Sequence, residues 1–564
     1  MKPLKASPWK GLTRLLPLYT LFSIIALLIT GCSSNQDIDL IIKNATIYTV
    51  DDEFRMAEAV AINKGVFVQV GSNEEIDARF NAKEIIDAKG KTILPGLYDA
   101  HGHLFHLAEL LDQVDLNGAR SVNEVISRLK AYQQEHPFKD WIIGSGWDQN
   151  LWANKNFPTK DMLDEHFPDI PVYLSRTDYH AAWVNSAALE IAGITEPEAI
   201  DGGEILSKPD GSASGILVDN AMNIFQKVLP QTDAQEHYRQ LLNAQDSLLA
   251  QGLTSIVDAG LNDEQITLLK QFYAQDDLKI RTYGMIAVNK DNLHEVVKRK
   301  PFNNGRFSLR AVKILADGAL GSRGACLMEP YSDKPDTKGF LLESPETLEE
   351  IIKAVSATPF QINAHAIGDS TNRLLLHLYG KYAEGKKDAR WRIEHAQILK
   401  EEDFKYFKEH RIIPSIQPIH AISDMGWAED RIGPERISNA YAYKKLLDNS
   451  GLVAIGTDFP VEHFNPFHNF HAAVARKDEH GNPNGGFQIE NALSRKEVLK
   501  GMTIWAAYSC FQEKKRGSIE KGKDADLIIL NKDPMTVDLE EIRDIKVLRT
   551  IIGGEILFKK GEPN

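Results

Sequence analysis

The chain reads as an α/β protein centred on a (β/α)8 barrel, with a composite β-sandwich from both termini and a subdomain inserted after the first barrel strand. Three observations predict this. Short apolar runs alternate with helix-like segments through the middle of the chain. β-rich segments stand at both ends. One interval between consecutive runs is far too long for a single crossover.

The end segments come first. Leu40-Ile41-Ile42, Thr46 to Val50, Ala59 to Ile62 and Val66 to Val70 are rich in β-branched residues and broken by Asn63-Lys64-Gly65 and Gly71-Ser72-Asn73. Asp526 to Leu530 and Val547 to Phe558, with a turn at Gly553-Gly554, have the same character. Two small β segments so far apart most economically share one domain, over residues 32–92 and 512–564.

Between them, over 93–511, apolar runs occur at Ile93–Ala100, Thr254–Gly260, Arg281–Val288, Ala311–Leu315, Gln361–Ala364, Arg392–Glu394, Ile412–Gln417 and Val453–Gly456. The intervals carry helical segments at Pro345–Val355, with Ser344 as N-cap, at Thr371–Tyr382 and at Glu401–Glu409. Ser494-Arg495-Lys496-Glu497 matches a capping box and predicts one helix through about Tyr508. The first and second runs lie roughly 150 residues apart, so residues 105–245 are read as an insertion over the barrel mouth. It contains strands at Trp141–Gly144 and Pro171–Ser175 and a hairpin between Asp201-Gly202-Gly203 and Gly211 to Gly215.

The N-terminus speaks to location. Lys2, Lys5, Lys10 and Arg14 precede an apolar run, Leu15 to Ile29, of signal-peptide length. It ends Thr30-Gly31-Cys32, which resembles a bacterial lipobox, so residues 1–31 are expected to be removed and Cys32 lipidated. Ser33 after the cysteine points to a lipid-anchored protein of the cell envelope, on the outer membrane where one exists. The net charge of −14 argues against nucleic-acid binding and electrostatic adhesion to anionic lipid. Cys326 and Cys510, the remaining cysteines, are not expected to form a structural disulfide.

Candidate chemistry starts at His101-Gly102-His103, directly after the first run. Side chains two apart in a strand point the same way, so two imidazoles converge there, and neutral imidazole is a common zinc ligand. Lys313, His365, His395 and Asp458 stand at the ends of the fourth, fifth, sixth and eighth runs. In a barrel, such strand ends meet on one face.

The pattern resembles the amidohydrolase superfamily, and more closely amidohydrolase family 3, which includes N-substituted formamide deformylases. The carriers are Leu94 to His103, Val312 to Ala325, Ala364-His365-Ala366-Ile367-Gly368-Asp369, Ile393-Glu394-His395-Ala396 and Gly456-Thr457-Asp458-Phe459-Pro460. Gly146-Trp147-Asp148 and Trp183-Val184-Asn185-Ser186 extend the resemblance into the insertion. Tyr179 before His180 departs from the glycine often found there.

The resemblance implies a metal-dependent amidohydrolase with one or two divalent ions, zinc by ligand type. His101 and His103 would hold one ion, His365 and His395 a second, and Lys313 would bridge them if carboxylated; unmodified, it would pair with Asp317 or another carboxylate. Asp458 would touch the metal and shuttle the proton for a metal-activated hydroxide attacking an amide-type bond, in an N-formyl or N-acyl compound. A cyclic amide, amidine or ester, or an inactive binding lipoprotein, is the alternative. Trp147, Asp148, His180 and Arg323 are candidate substrate contacts. Core packing, loop capping, a packing or surface role and an internal ion pair are the respective plainer readings. His420, His463, His468 and His471 are read as wall or surface residues.

Overall fold

A computed structural model describes residues 35–137 and 139–561. Cys32 and residues 1–31 lie outside the described residues. Eight parallel strands form the barrel: β1 (Leu97–Gly102), β2 (Leu253–Leu261), β3 (Arg281–Ala287), β4 (Phe307–Leu315), β5 (Gln361–Ala366), β6 (Arg392–His395), β7 (Ile413–Ile416) and β8 (Ala454–Ile455). They neighbour one another in chain order. The ring closes where the Asp458 amide donates to the His101 carbonyl at 2.7 Å and the His103 amide to the Phe459 carbonyl at 2.8 Å.

The first apolar run divides. Thr92–Pro95 pairs with Leu527–Leu530 and Thr46–Tyr48 in a six-stranded end sheet, whereas Leu97–Gly102 belongs to the barrel. Gly96 permits the crossing, because a Cβ there would lie 2.3 Å from the Thr254 hydroxyl. A four-stranded sheet, ordered 66–71, 59–63, 36–43 and 80–87, faces the end sheet. Leu40, Ile42, Ile62, Ile93, Leu527 and Ile551 are buried together between them, which makes the sandwich composite.

Helix boundaries follow their caps. Ser344 accepts from the Thr347 amide and Pro345 opens the helix Pro345–Ser356. The Ser494–Glu497 capping box is present in full, but its helix stops at Gly501. Thr503 is non-helical (φ −140°, ψ −97°), and a second helix runs Ile504–Ser509. The break has a tertiary cause: the Met502 carbonyl accepts from the Tyr98 amide of β1 at 2.8 Å.

The inserted residues build a seven-stranded mixed sheet, ordered 199–200, 203–207, 213–219, 181–184, 172–176, 142–147 and 114–115. It has its own core around Trp147, Trp152, Trp183, Leu174 and Ile216. The helices Leu104–Leu110 and Ala234–Ala250, which lead into and out of it, bury Leu104, Leu107, Leu241 and Leu248 in the barrel's core instead. The loop after Arg176 meets the loop after β8, where Thr177 Oγ1 donates to the Val461 carbonyl at 3.3 Å. The insertion therefore stands at the C-terminal end of the barrel. Among the described residues, Cys326 and Cys510 are both free thiols.

Candidate active site

His101 sits on β1 and is fully buried. Its Nδ1 lies 2.5 Å from Glu394 Oε2, and Glu394 also accepts from Arg392 Nε at 2.7 Å. Since Nδ1 donates to the carboxylate, Nε2 carries the lone pair and turns it toward the pocket, where Lys313 Nζ lies 3.3 Å away. Burial and the nearby Lys313 lower the His101 pKa to about 4, so the ring is neutral at physiological pH. The Arg392 guanidinium and His101 outweigh burial at Glu394 and hold its carboxyl well below the usual range. Arg392 also donates to the Ala100 carbonyl at 2.7 Å and to Ser415 Oγ at 2.8 Å, tying β6 to β1 and β7 inside the barrel.

His395 repeats this design. Its Nδ1 is 2.8 Å from Gln417 Oε1, and burial and His365 lower its pKa well below the ordinary value. The His395 ring lies 4.9 Å from that of His101 and 4.6 Å from that of His365. Asp458 is buried among them: its Oδ1 is 3.2 Å from His103 Nε2 and 3.5 Å from His101 Nε2, and its Oδ2 is 3.9 Å from His395 Nδ1. Burial alone would raise the Asp458 pKa, but His101, His103 and His395 hold it well below the usual carboxylate range. His395 (φ 72°) and Asp458 (φ 64°) are both in the left-handed region, a strained backbone of the kind that accumulates at functional sites.

Gly102 has a second use beyond sparing bulk. A Cβ there would fall 2.4 Å from the Phe459 ring, so the close approach of β1 and the β8 loop requires glycine. Asp99 secures the same seam by accepting from the Thr457 amide at 3.0 Å and the Thr457 hydroxyl at 2.6 Å.

Lys313 is buried on β4 with Nζ 3.3 Å from His101 Nε2. Burial lowers its pKa despite the pull of Glu394 and Asp458. Among the described residues it has no carboxylate within ion-pair distance. Pairing with Asp317 is not what occurs: that carboxylate is taken by the amides of Cys326, Ile367 and Gly368 and by the Thr371 hydroxyl.

The donor set suits a divalent cation. Ligand atoms of His101, His395 and Asp458 lie within 4.8 Å of one another. His365 Nε2, His420 Nε2 and Asp458 Oδ1 are buried without a hydrogen-bond partner, a costly arrangement unless another group engages them. His103 closes the group from the end of β1, and His365 from β5, its Nε2 3.5 Å from Asp317 Oδ1.

The four candidate substrate contacts separate. His180 reaches the site, its ring 5.3 Å from that of His365 and its Nδ1 paired with Asp219. Burial opposes its charge, but Asp219 and Asp178 push its pKa up to about 9. Asp219 itself has an unusual backbone (φ 48°, ψ −121°) and presses on the β4 loop, where a Cβ on Gly318 would lie 2.5 Å from Asp219 Oδ2. Trp147 is corrected to a core residue: it is fully buried, its Nε1 donates to the Leu174 carbonyl at 2.8 Å, and it packs on Trp152 and Trp183. Asp148 is also corrected, because Arg176 occupies its carboxylate and it caps the turn Gln149–Leu151. Arg323 pairs with Asp333 at 2.9 Å beside a cavity of about 250 Å³ that no candidate metal ligand lines.

Several participants escaped the sequence reading. Glu394 and Gln417 carry a signal in hindsight, since Arg392-Ile393-Glu394 alternates as a strand just before His395. His420, 3.7 Å from Asp458 Oδ2, is the wall residue of this pocket. His106 stacks between His103 at 5.3 Å and Tyr179 at 5.2 Å, which gives Tyr179 a place in the mouth.

Barrel, strand-end histidines and buried aspartate together define a hydrolase of the amidohydrolase type, and residues 84–558 match the amidohydrolase family. The chain belongs to that family and is a hydrolase acting on carbon–nitrogen bonds of small molecules. It is 32% identical over 534 residues to the putative amidohydrolase YtcJ of Bacillus subtilis, covering 91% of this chain and 98% of that protein. It is 26% identical to the N-substituted formamide deformylase of Arthrobacter pascens, over 93% of this chain and 98% of that one. An uncharacterized metal-dependent hydrolase from Pyrococcus horikoshii superposes with a TM-score of 0.72 at 28% identity, over 89% of this chain and 99% of that one.

Proposed function

We propose that this chain hydrolyses an amide-type bond of a small N-acyl or N-formyl compound at a divalent-metal centre, zinc by ligand type. The observation that carries the reading is the set of buried, unpartnered ligand atoms around Asp458. His101, His103, His365, His395 and Asp458 would hold the metal. Such an ion lowers the pKa of a bound water and polarises a carbonyl.

The protein's own residues do the rest. Asp458, ionised at neutral pH, accepts a proton from water and returns it to the leaving nitrogen as the C–N bond breaks. Water is thereby divided, its hydroxyl going to the acyl carbon and its proton to the amine. Glu394 and Gln417 hold His101 and His395 in the tautomers that offer Nε2. His180 contacts the substrate from the insertion. The buried Lys313, with no carboxylate at ion-pair distance among the described residues, supports its carboxylation: burial shifts it toward the neutral amine, which adds carbon dioxide with release of a proton, and the carbamate so formed is an anion beside His101.

Metal analysis of protein produced with zinc, followed by a screen of N-formyl and N-acyl amides, tests this reading. We expect one or two ions per chain and turnover that a chelator abolishes. Metal-free protein after zinc and manganese supplementation would refute it. Lys313→Ala should lose activity and regain part of it with added acetate or formate. Envelope localisation through lipidated Cys32 is the remaining part of the proposal, and Cys32→Ala should release the protein from membranes.

A further inference from the structure

The inward face of the barrel can be followed in layers. Register pairs Ala311 with Gln361, Lys313 with Asn363 and Leu315 with His365 across β4 and β5, and Ala287 with Lys313 across β3 and β4. Lys313 points inward, because its Nζ reaches His101. Leu315, two residues on, points the same way one layer nearer the mouth, beside His365. Yet Leu315 is 47% exposed, whereas Lys313 is 3% exposed. Among the described residues, Leu315 is the one large apolar side chain on a barrel strand that is exposed. An inward-facing leucine half open to solvent borders empty space.

Its neighbours leave that space open. Ala287 is small, and a Cβ built on Gly260 at the end of β2 would meet only Lys313 Cγ, at 3.9 Å. In the layer nearest the mouth, above the buried Asp258 and Lys313, the wall from β2 to β4 is therefore small and apolar, made of Gly260, Ala287 and Leu315, while that from β6 to β8 carries His395, His420 and Asp458. In a closed ring of eight strands, β4 stands opposite β8. The leaving nitrogen must lie within reach of Asp458 on the β8 side, so the carbonyl's carbon substituent is directed across the barrel toward β4.

We infer that Leu315 is the specificity wall for the acyl group, and that the preferred substrates are N-acyl compounds with a short hydrocarbon chain rather than formamides. This rests on the reading of Asp458 as the residue that returns the proton. A formyl group has no carbon substituent and would leave Leu315 wet. An acyl chain would bury it, at about threefold to fourfold in kcat/KM per methylene until the space is filled.

The test uses metal-loaded protein and amides of one amine acylated with formyl, acetyl, butyryl and hexanoyl groups. We expect kcat/KM to rise at least tenfold from formyl to butyryl. In Leu315→Asp that ratio should fall to about 1, with metal content and circular dichroism unchanged, and Leu315→Met should restore most of it. Calorimetric binding of formate, acetate, butyrate and hexanoate reads the same wall without turnover and should show the same slope. Turnover of every amide with no dependence on chain length, or a ratio unchanged in Leu315→Asp, overturns the inference and leaves amide hydrolysis standing. No turnover of any amide by metal-replete protein overturns amide hydrolysis and the inference with it.

Discussion

The tryptophan cluster of the insertion and the histidine cluster of the barrel mouth are both buried and both ring-rich, the first on a mixed sheet and the second on parallel strands. They differ in what their polar atoms do. Trp147 donates to the Leu174 carbonyl, Trp152 to that of Ala119 and Trp183 to that of Thr159, so each indole N–H is used. At the mouth, His365 Nε2, His420 Nε2 and Asp458 Oδ1 have no partner. A core satisfies its polar atoms because leaving one unpaired costs about 1–3 kcal/mol. A site leaves them open because a ligand supplies what is missing. Burial and aromatic content do not separate the two clusters; the bonding of their ring nitrogens does, every indole N–H being used and the His365 and His420 Nε2 atoms being left open.

The sharpest way to break this contrast is Asp458→Asn. It keeps the shape but removes the proton acceptor, and kcat should fall about a thousandfold while circular dichroism and at least one bound ion persist. Near-normal turnover would remove Asp458 from proton transfer. Glu394→Gln should be milder: His101 loses the carboxylate that fixes its tautomer, and zinc affinity measured against a chelator should drop about 10- to 100-fold. Gly318→Ala tests the junction between the two regions. Its Cβ must push Asp219 and hence His180, and kcat/KM should fall about tenfold with metal content unchanged. The smallest effect on chemistry belongs to Trp147→Phe, which leaves the Leu174 carbonyl unpaired. Denaturant unfolding should show a loss of about 1–3 kcal/mol, with kcat/KM within about twofold of the parent. A large activity loss there would mean that the insertion's core and the pocket are one unit.

Much of this was legible from residue patterns. The eight apolar runs mapped onto the eight barrel strands because a parallel strand covered on both faces needs a continuous apolar run. The Ser344 cap and the Ser494–Glu497 box marked true helix starts, since capping is satisfied within four residues. The end of the second helix was not legible, because its last turn yields to a hydrogen bond with Tyr98, some 400 residues earlier. Trp147 and Asp148 were misplaced for a related reason. Their motif marks them as important but does not say whether they face a core, an arginine or a ligand.

By itself, then, the sequence determined the alternation that makes a barrel, the strand-end positions of His101, His103, Lys313, His365, His395 and Asp458, and the composite character of the β-sandwich. These depend on local periodicity and on the rule that parallel strand ends share a face. The tertiary structure alone decided that Lys313 lacks a carboxylate, that Glu394 and Gln417 orient the histidines, that His180 leans on Asp219 against Gly318, and that Leu315 faces an open mouth. Each of these is a contact or a gap between segments tens to hundreds of residues apart, and its energy depends on a distance that no local pattern encodes.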